Sequence, residues 1–99
     1  MAITATVDLG NGVTASSAYL IVPNAYVKKY DDDSFKLIYD VHIYKDASDR
    51  ATNLHTKQIS CREVDHHKIT YDPTTSDNPF KLAYTHLKTN GKLSSVADA

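Results

Sequence analysis

One segment of this 99-residue chain carries a complete helix signature, and it limits the folds open to the rest. Asn78 has a side chain that can cap free N–H groups. Pro79 follows at the first helical position, where a missing N–H costs nothing. Phe80, Ala83, Tyr84 and Leu87 stand at i, i+3, i+4 and i+7, which makes one apolar stripe. Lys81, Thr85 and Lys88 lie off that stripe, and Lys88 suits the helix C-terminus electrostatically. Asn90-Gly91 is the expected stop. Everything before residue 78 is broken into short stretches of period two. The expected architecture is therefore α+β and mainly β: an antiparallel sheet or sandwich-like body with one C-terminal amphipathic helix at about 78–90.

Ile3, Ala5, Val7 and Leu9 alternate with Thr4, Thr6 and Asp8, the pattern of a half-buried strand. Gly10-Asn11-Gly12 reads as a turn, because Gly and Asn accept positive φ. Val13 to Val22 is extended. Pro23-Asn24 interrupts it, and Ala25 to Tyr30 resumes as an edge or past a bulge. Asp31 to Ser34 is a four-residue hairpin loop leading into Phe35–Lys45, the strongest strand pattern in the chain. There Ile38 and Tyr44 break the polar alternation of Lys36, Asp40 and His42, so the second face is also partly covered, by a neighbouring sheet or subunit. Asp46 to Asn53 reads as an exposed loop with room for one helical turn. His55 to Val64 reads as a weaker strand, with Ile59 and Cys61 on one face, and His67 to Tyr71 as a short extended piece. Asp72 to Asp77 is a loop. Residues 1–91 form one domain, and the small polar stretch 92–99 reads as a mobile tail or one that orders on a partner.

Net charge is −1 with the five histidines neutral, so the chain has no basic field for nucleic acid. It has neither a polybasic segment nor a long apolar one for a membrane, and Met1-Ala2-Ile3-Thr4 has no signal-peptide pattern. A single cysteine, Cys61, excludes an internal disulfide framework and fits a reducing cytoplasm.

Three sets of residues carry possible chemistry. His55, Asp65, His66 and His67 are zinc-ligand types, but adjacent histidines on a strand point to opposite faces, and no metal-site spacing supports them. They read as solvated loop histidines. Asp31-Asp32-Asp33 offers oxygens to calcium without the EF-hand spacing, and reads as a solvated turn that blunts a sheet edge. Cys61 has nucleophile chemistry, but its strand pattern makes it a small buried hydrophobe. No catalytic residue, metal ligand or cofactor is assigned, and the chain is read as a non-enzyme. Seven tyrosines and no tryptophan are a different signal. Tyr19, Tyr26, Tyr30, Ile38 and Tyr44 form a candidate interface, set against the plainer reading of ordinary sheet-face side chains.

Two stretches carry a resemblance. Asn11-Gly12-Val13-Thr14 followed by Ala18-Tyr19 gives NGVT…AY, and Asn78 to Lys88 gives NPxxxAYxxLK. Together they resemble small structural proteins of tailed-bacteriophage virions. The middle, Asp46 to Asp77, has no counterpart in that resemblance. It implies a non-enzymatic virion component in several symmetric copies, assembled in the host cytoplasm. Its partners would be other virion proteins, with the chain as an adaptor between tail or baseplate parts and fibres. Capsid decoration is the alternative, and a small metal-binding protein or enzyme the third reading.

Overall fold

The structure is a computed structural model that describes residues 2–52, 58–74 and 78–99. It is α+β and mainly β. Strands β1 (Ile3–Gly10), β2 (Val13–Lys29) and β3 (Phe35–Tyr44) come first. They are followed by α1 (Ala47–Thr52), β4 (Gln58–Ile59), α2 (Arg62–Asp65), β5 (His66–Thr70), α3 (Pro79–Leu87) and β6 (Leu93–Asp98). All pairings among the described residues are antiparallel, in the order β4-β3-β2-β1-β6. Strand β5 shares the outer edge of β3 with β4: it pairs with Lys36–Asp40, and β4 pairs with Ile43 and Tyr44.

Local chemistry sets both hairpins. Asn11 and Gly12 have φ of 53° and 77° between the paired Gly10 and Val13. That is the two-residue loop whose central residues must both be left-handed. At the second hairpin Tyr30 N–H donates to the Ser34 carbonyl at 2.8 Å, and Asp33 N–H to the Tyr30 carbonyl at 3.0 Å. Asp33 is left-handed at φ 62°. The loop is therefore the Asp31–Asp33 triplet, one residue tighter than the sequence pattern implied.

Strand β2 has 17 residues, which would span about 55 Å at roughly 3.3 Å per residue if straight. The longest extent of the molecule is 40 Å, so the strand bends. Its pairings skip a residue twice. One shift lies between Ala18 and Ala15, where Ser17 has φ 56°. The other lies between Ile21 and Asn24, at Pro23, whose missing donor is harmless at a bulge.

Three expectations need correction. The stretch 92–99 is not a free tail: Leu93–Asp98 pairs with β1. Period two would send Leu93 and Val96 to opposite faces. A bulge at Ser95, φ 52°, inserts one residue and turns both towards the core. The expected strand from His55 to Val64 is, in its described part, only β4 followed by the helical turn α2. Cys61 is the N-cap of that turn, and both Asp65 carboxylate oxygens accept its N–H at 3.2 Å. The helical turn for which Asp46 to Asn53 has room forms as Ala47–Thr52, and Asn53 lies outside the described residues.

Helix α3 begins as expected, with Asn78 Oδ1 accepting from Phe80 N–H at 2.9 Å and Lys81 N–H at 3.4 Å. It ends at Leu87 with Lys88 as C-cap, earlier than Asn90-Gly91. Tight turns, Thr89 N–H to His86 carbonyl and Asn90 N–H to Leu87 carbonyl, finish it without a left-handed glycine. Ala83, Tyr84 and Leu87 are buried, whereas Phe80 is 43% exposed. Phe80 sits on the first turn beside Val22 and Tyr84, with solvent on its other side.

The core lies between α3 and one face of the sheet. Ile3, Val7, Leu20, Leu37, Tyr39 and Ile43 form its floor, and Ala83, Tyr84 and Leu87 its lid, with Val64 from α2 closing one end. Tyr84 ties lid to floor: its Oη accepts the Val22 N–H at 2.8 Å, next to the Pro23 bulge.

Candidate interaction face

The strand period places Lys36, Ile38, Asp40, His42 and Tyr44 of β3 on the face opposite α3, since their odd-numbered neighbours face the core. Cross-strand register then sets Tyr19 beside Tyr44, Tyr26 beside Ile38 and Lys28 beside Lys36 on that outer face. On the far side of β3, Thr70, Lys68 and His66 stand opposite Lys36, Ile38 and Asp40.

The five candidate residues therefore share one face but not one exposure. Tyr44 is 1% exposed, with the Arg50 guanidinium of α1 5.4 Å from its ring centre. Ile38 is also buried, with Tyr26 and Lys68 opposite it on either side. Tyr19 and Tyr30 are half-buried, and Tyr26 is 51% exposed. The partial cover of this face expected from Ile38 and Tyr44 thus comes from the chain's own side chains and from α1.

Near the Asp31–Asp33 turn the face is cationic. Lys28 and Lys68 hold their ammonium groups 5.3 and 5.1 Å from the Tyr30 ring centre, within cation–π range. Lys36 Nζ donates to Thr70 Oγ1 at 3.4 Å. Tyr30, Lys36 and Lys68 line a cavity of about 380 Å³ with Asp31, Asp32 and Ser34. The Ser34 hydroxyl and N–H bond to Asp32 and hold its carboxyl below the usual range. Sequence reasoning missed this lysine group. A signal was present: Lys28 and Lys36 are equidistant from Asp32, the middle of the turn, so a symmetric hairpin makes them partners.

The histidines separate as their alternation requires. His66 turns outward, its Nδ1 2.5 Å from Asp40 Oδ1, at a cavity of about 310 Å³ where the edge of β3 passes from β5 to β4. Both side chains are well exposed, so this pair adds little stability. His67 turns inward and stacks on Tyr39 with ring centres 5.0 Å apart. His86 of α3 completes the group, 5.5 Å from His67 and 5.8 Å from Tyr39. Burial pushes the Tyr39 phenol far up, so it keeps its proton, and its Oη hydrogen-bonds with His86 Nδ1 at 2.6 Å. His67 Nε2 donates to the Val64 carbonyl at 3.0 Å. Burial, and next the adjacent His86, push the His67 pKa down.

His55 lies outside the described residues, so the four-residue zinc group cannot be placed as a whole. Among the described residues no three His, Cys, Asp or Glu side chains come together as a metal site. Cys61 is buried, and that burial raises its thiol pKa. Asp31, Asp32 and Asp33 form an exposed turn, in which Asp33 meets Lys29 at 3.4 Å.

What the geometry defines is a class: a mainly antiparallel β domain with one helix-covered face and one aromatic, partly cationic face. Comparisons of the chain with protein-family models, curated proteins and solved structures give no match. No helix among the described residues is long and apolar enough to cross a membrane.

Proposed function

We propose that this chain is a non-enzymatic structural subunit of a bacteriophage virion, an adaptor that joins tail or baseplate parts to fibres. The observation that carries the reading is the outer sheet face. It leaves Tyr26 half exposed between the half-buried Tyr19 and Tyr30, while α3 seals the opposite face. Tyrosines supply large contact area with a polar tip at small entropic cost, as assembly surfaces require. The resemblance of the NGVT…AY and NPxxxAYxxLK segments to tailed-phage structural proteins supplies the virion setting.

Quantitative mass spectrometry of purified particles tests this reading. An adaptor is expected in tail fractions at a copy number that follows the tail's rotational symmetry. Hundreds of copies with the capsid would support a decoration role instead. Absence from all particles would remove both.

A further inference from the structure

Six of the nine lysines of this chain fall into two groups. Lys29, Lys88 and Lys92 each lie near an aspartate, at 3.4, 2.6 and 3.9 Å. Lys28, Lys36 and Lys68 have no ion-pair partner among the described residues, and all stand at one end of the outer face. Lys28 and Lys36 are direct cross-strand partners, and like charges in that relation oppose strand pairing. The Tyr30 ring accommodates two of the three ammonium groups, and the third, that of Lys36, feels the Asp32 carboxylate across the shared cavity without forming a close ion pair.

We infer that Lys28, Lys36 and Lys68 dock a short acidic segment of a protein partner, its Asp or Glu carboxylates meeting the ammonium groups around Tyr30. Charge complementarity selects the occupant. The cationic zone is short: the Asp31–Asp33 turn bounds it at one end, and Asp40 follows Ile38 on the same face at the other. A continuous phosphate chain would run from the lysines into carboxylates in both directions, and the chain's net charge of −1 gives it no long-range field. A peptide can place a few carboxylates on the lysines and neutral residues beyond them. Tyr26, on the same face, is open for apolar contact with those flanking residues.

The inference rests on reading the outer face as an assembly surface. Its test is titration of the full chain with a short oligoglutamate peptide at low salt, followed by amide and lysine side-chain NMR. Saturable shifts confined to Lys28, Tyr30, Lys36 and Lys68, weakening as salt rises, are expected. The Lys36→Gln/Lys68→Gln variant should keep its dispersed spectrum and lose roughly tenfold in affinity, while Lys36→Arg/Lys68→Arg keeps it. Any of five results would overturn the inference: no saturable shift; equal shifts at Lys81, Lys88 and Lys92; unchanged affinity in the Gln variant; the same shifts with inorganic phosphate; or tighter binding of oligothymidine. Particle composition is an independent readout. Peptide binding by a chain found in no particle removes the virion reading alone. A particle-borne chain without peptide binding removes the acidic-segment inference alone.

Discussion

The two faces of the sheet are built from the same three long strands, yet they use their side chains differently. The α3 face is a closed set: Leu20, Leu37, Ile43 and Leu87 are fully buried, and the Tyr84 hydroxyl and the Tyr39–His86 pair supply polar ties. The outer face is closed only around Ile38 and Tyr44, and from Ile38 towards the Asp31–Asp33 turn it presents tyrosine rings and lysines. The contrast separates two jobs. One face holds the chain together, and the other is free to change without unfolding it.

Substitutions can break that division. Leu87→Ala should have the largest effect, because it removes a fully buried side chain from the lid. A loss of about 2–5 kcal/mol in urea denaturation is expected. A loss below roughly half a kcal/mol would mean that α3 is not a core element. Tyr84→Phe comes next. It deletes the acceptor of the Val22 N–H and leaves that donor buried without its partner, for about 1–3 kcal/mol.

A smaller, pH-dependent effect should come from His67. The folded pKa of His67 lies below the ordinary 6.5, chiefly through burial and then through His86, with the Val64 carbonyl and, less, Asp65 opposing. The unfolded chain therefore binds this proton more readily. The stabilisation is complete above 6.5 and is lost as pH falls from there through the folded value. Urea midpoints at about pH 7.5 and 5 should differ less in His67→Phe than in the parent chain. An unchanged difference would show that His67 does not carry the effect. Tyr26→Ser should do least to the fold, within about 0.5 kcal/mol, yet reduce incorporation into particles under the proposed function. A large loss of stability there would erase the distinction between the faces.

What was legible in the sequence was local. The alternation of β1 and β3, the Asn11-Gly12 turn and the Asn78-Pro79 helix start each depend on residues a few positions apart. What was hidden depended on register or on an inserted residue. Strand β6 has Leu93 and Val96 three positions apart, a spacing that reads as noise until the left-handed Ser95 turns both inward. The turn α2 closes through Asp65 and the Cys61 N–H, in a stretch whose composition reads as strand. The Tyr39, His67 and His86 group draws on three elements, and only the finished register brings it together. The outer-face set stands on mixed strand positions, and its division into covered and uncovered members depends on α1, whose Arg50 lies over Tyr44.

The bent strand β2 has a consequence for how motion is distributed along the molecule. Its first half pairs mainly with β1 and its second with β3, and the two ladders overlap around Tyr19 and Leu20. Across that overlap runs one row from Asp98 through Ile3, Leu20 and Ile43 to Ile59, a residue from each of five strands. The hairpin ends at Asn11 and at Asp32 are arms extending from this belt in opposite senses. Amide protons of the belt should exchange with solvent only through global opening, and those of the two arms by separate local fraying. An event at the lysine arm would then leave the Asn11 arm undisturbed, with the belt acting as a fixed pivot between two independently breathing ends.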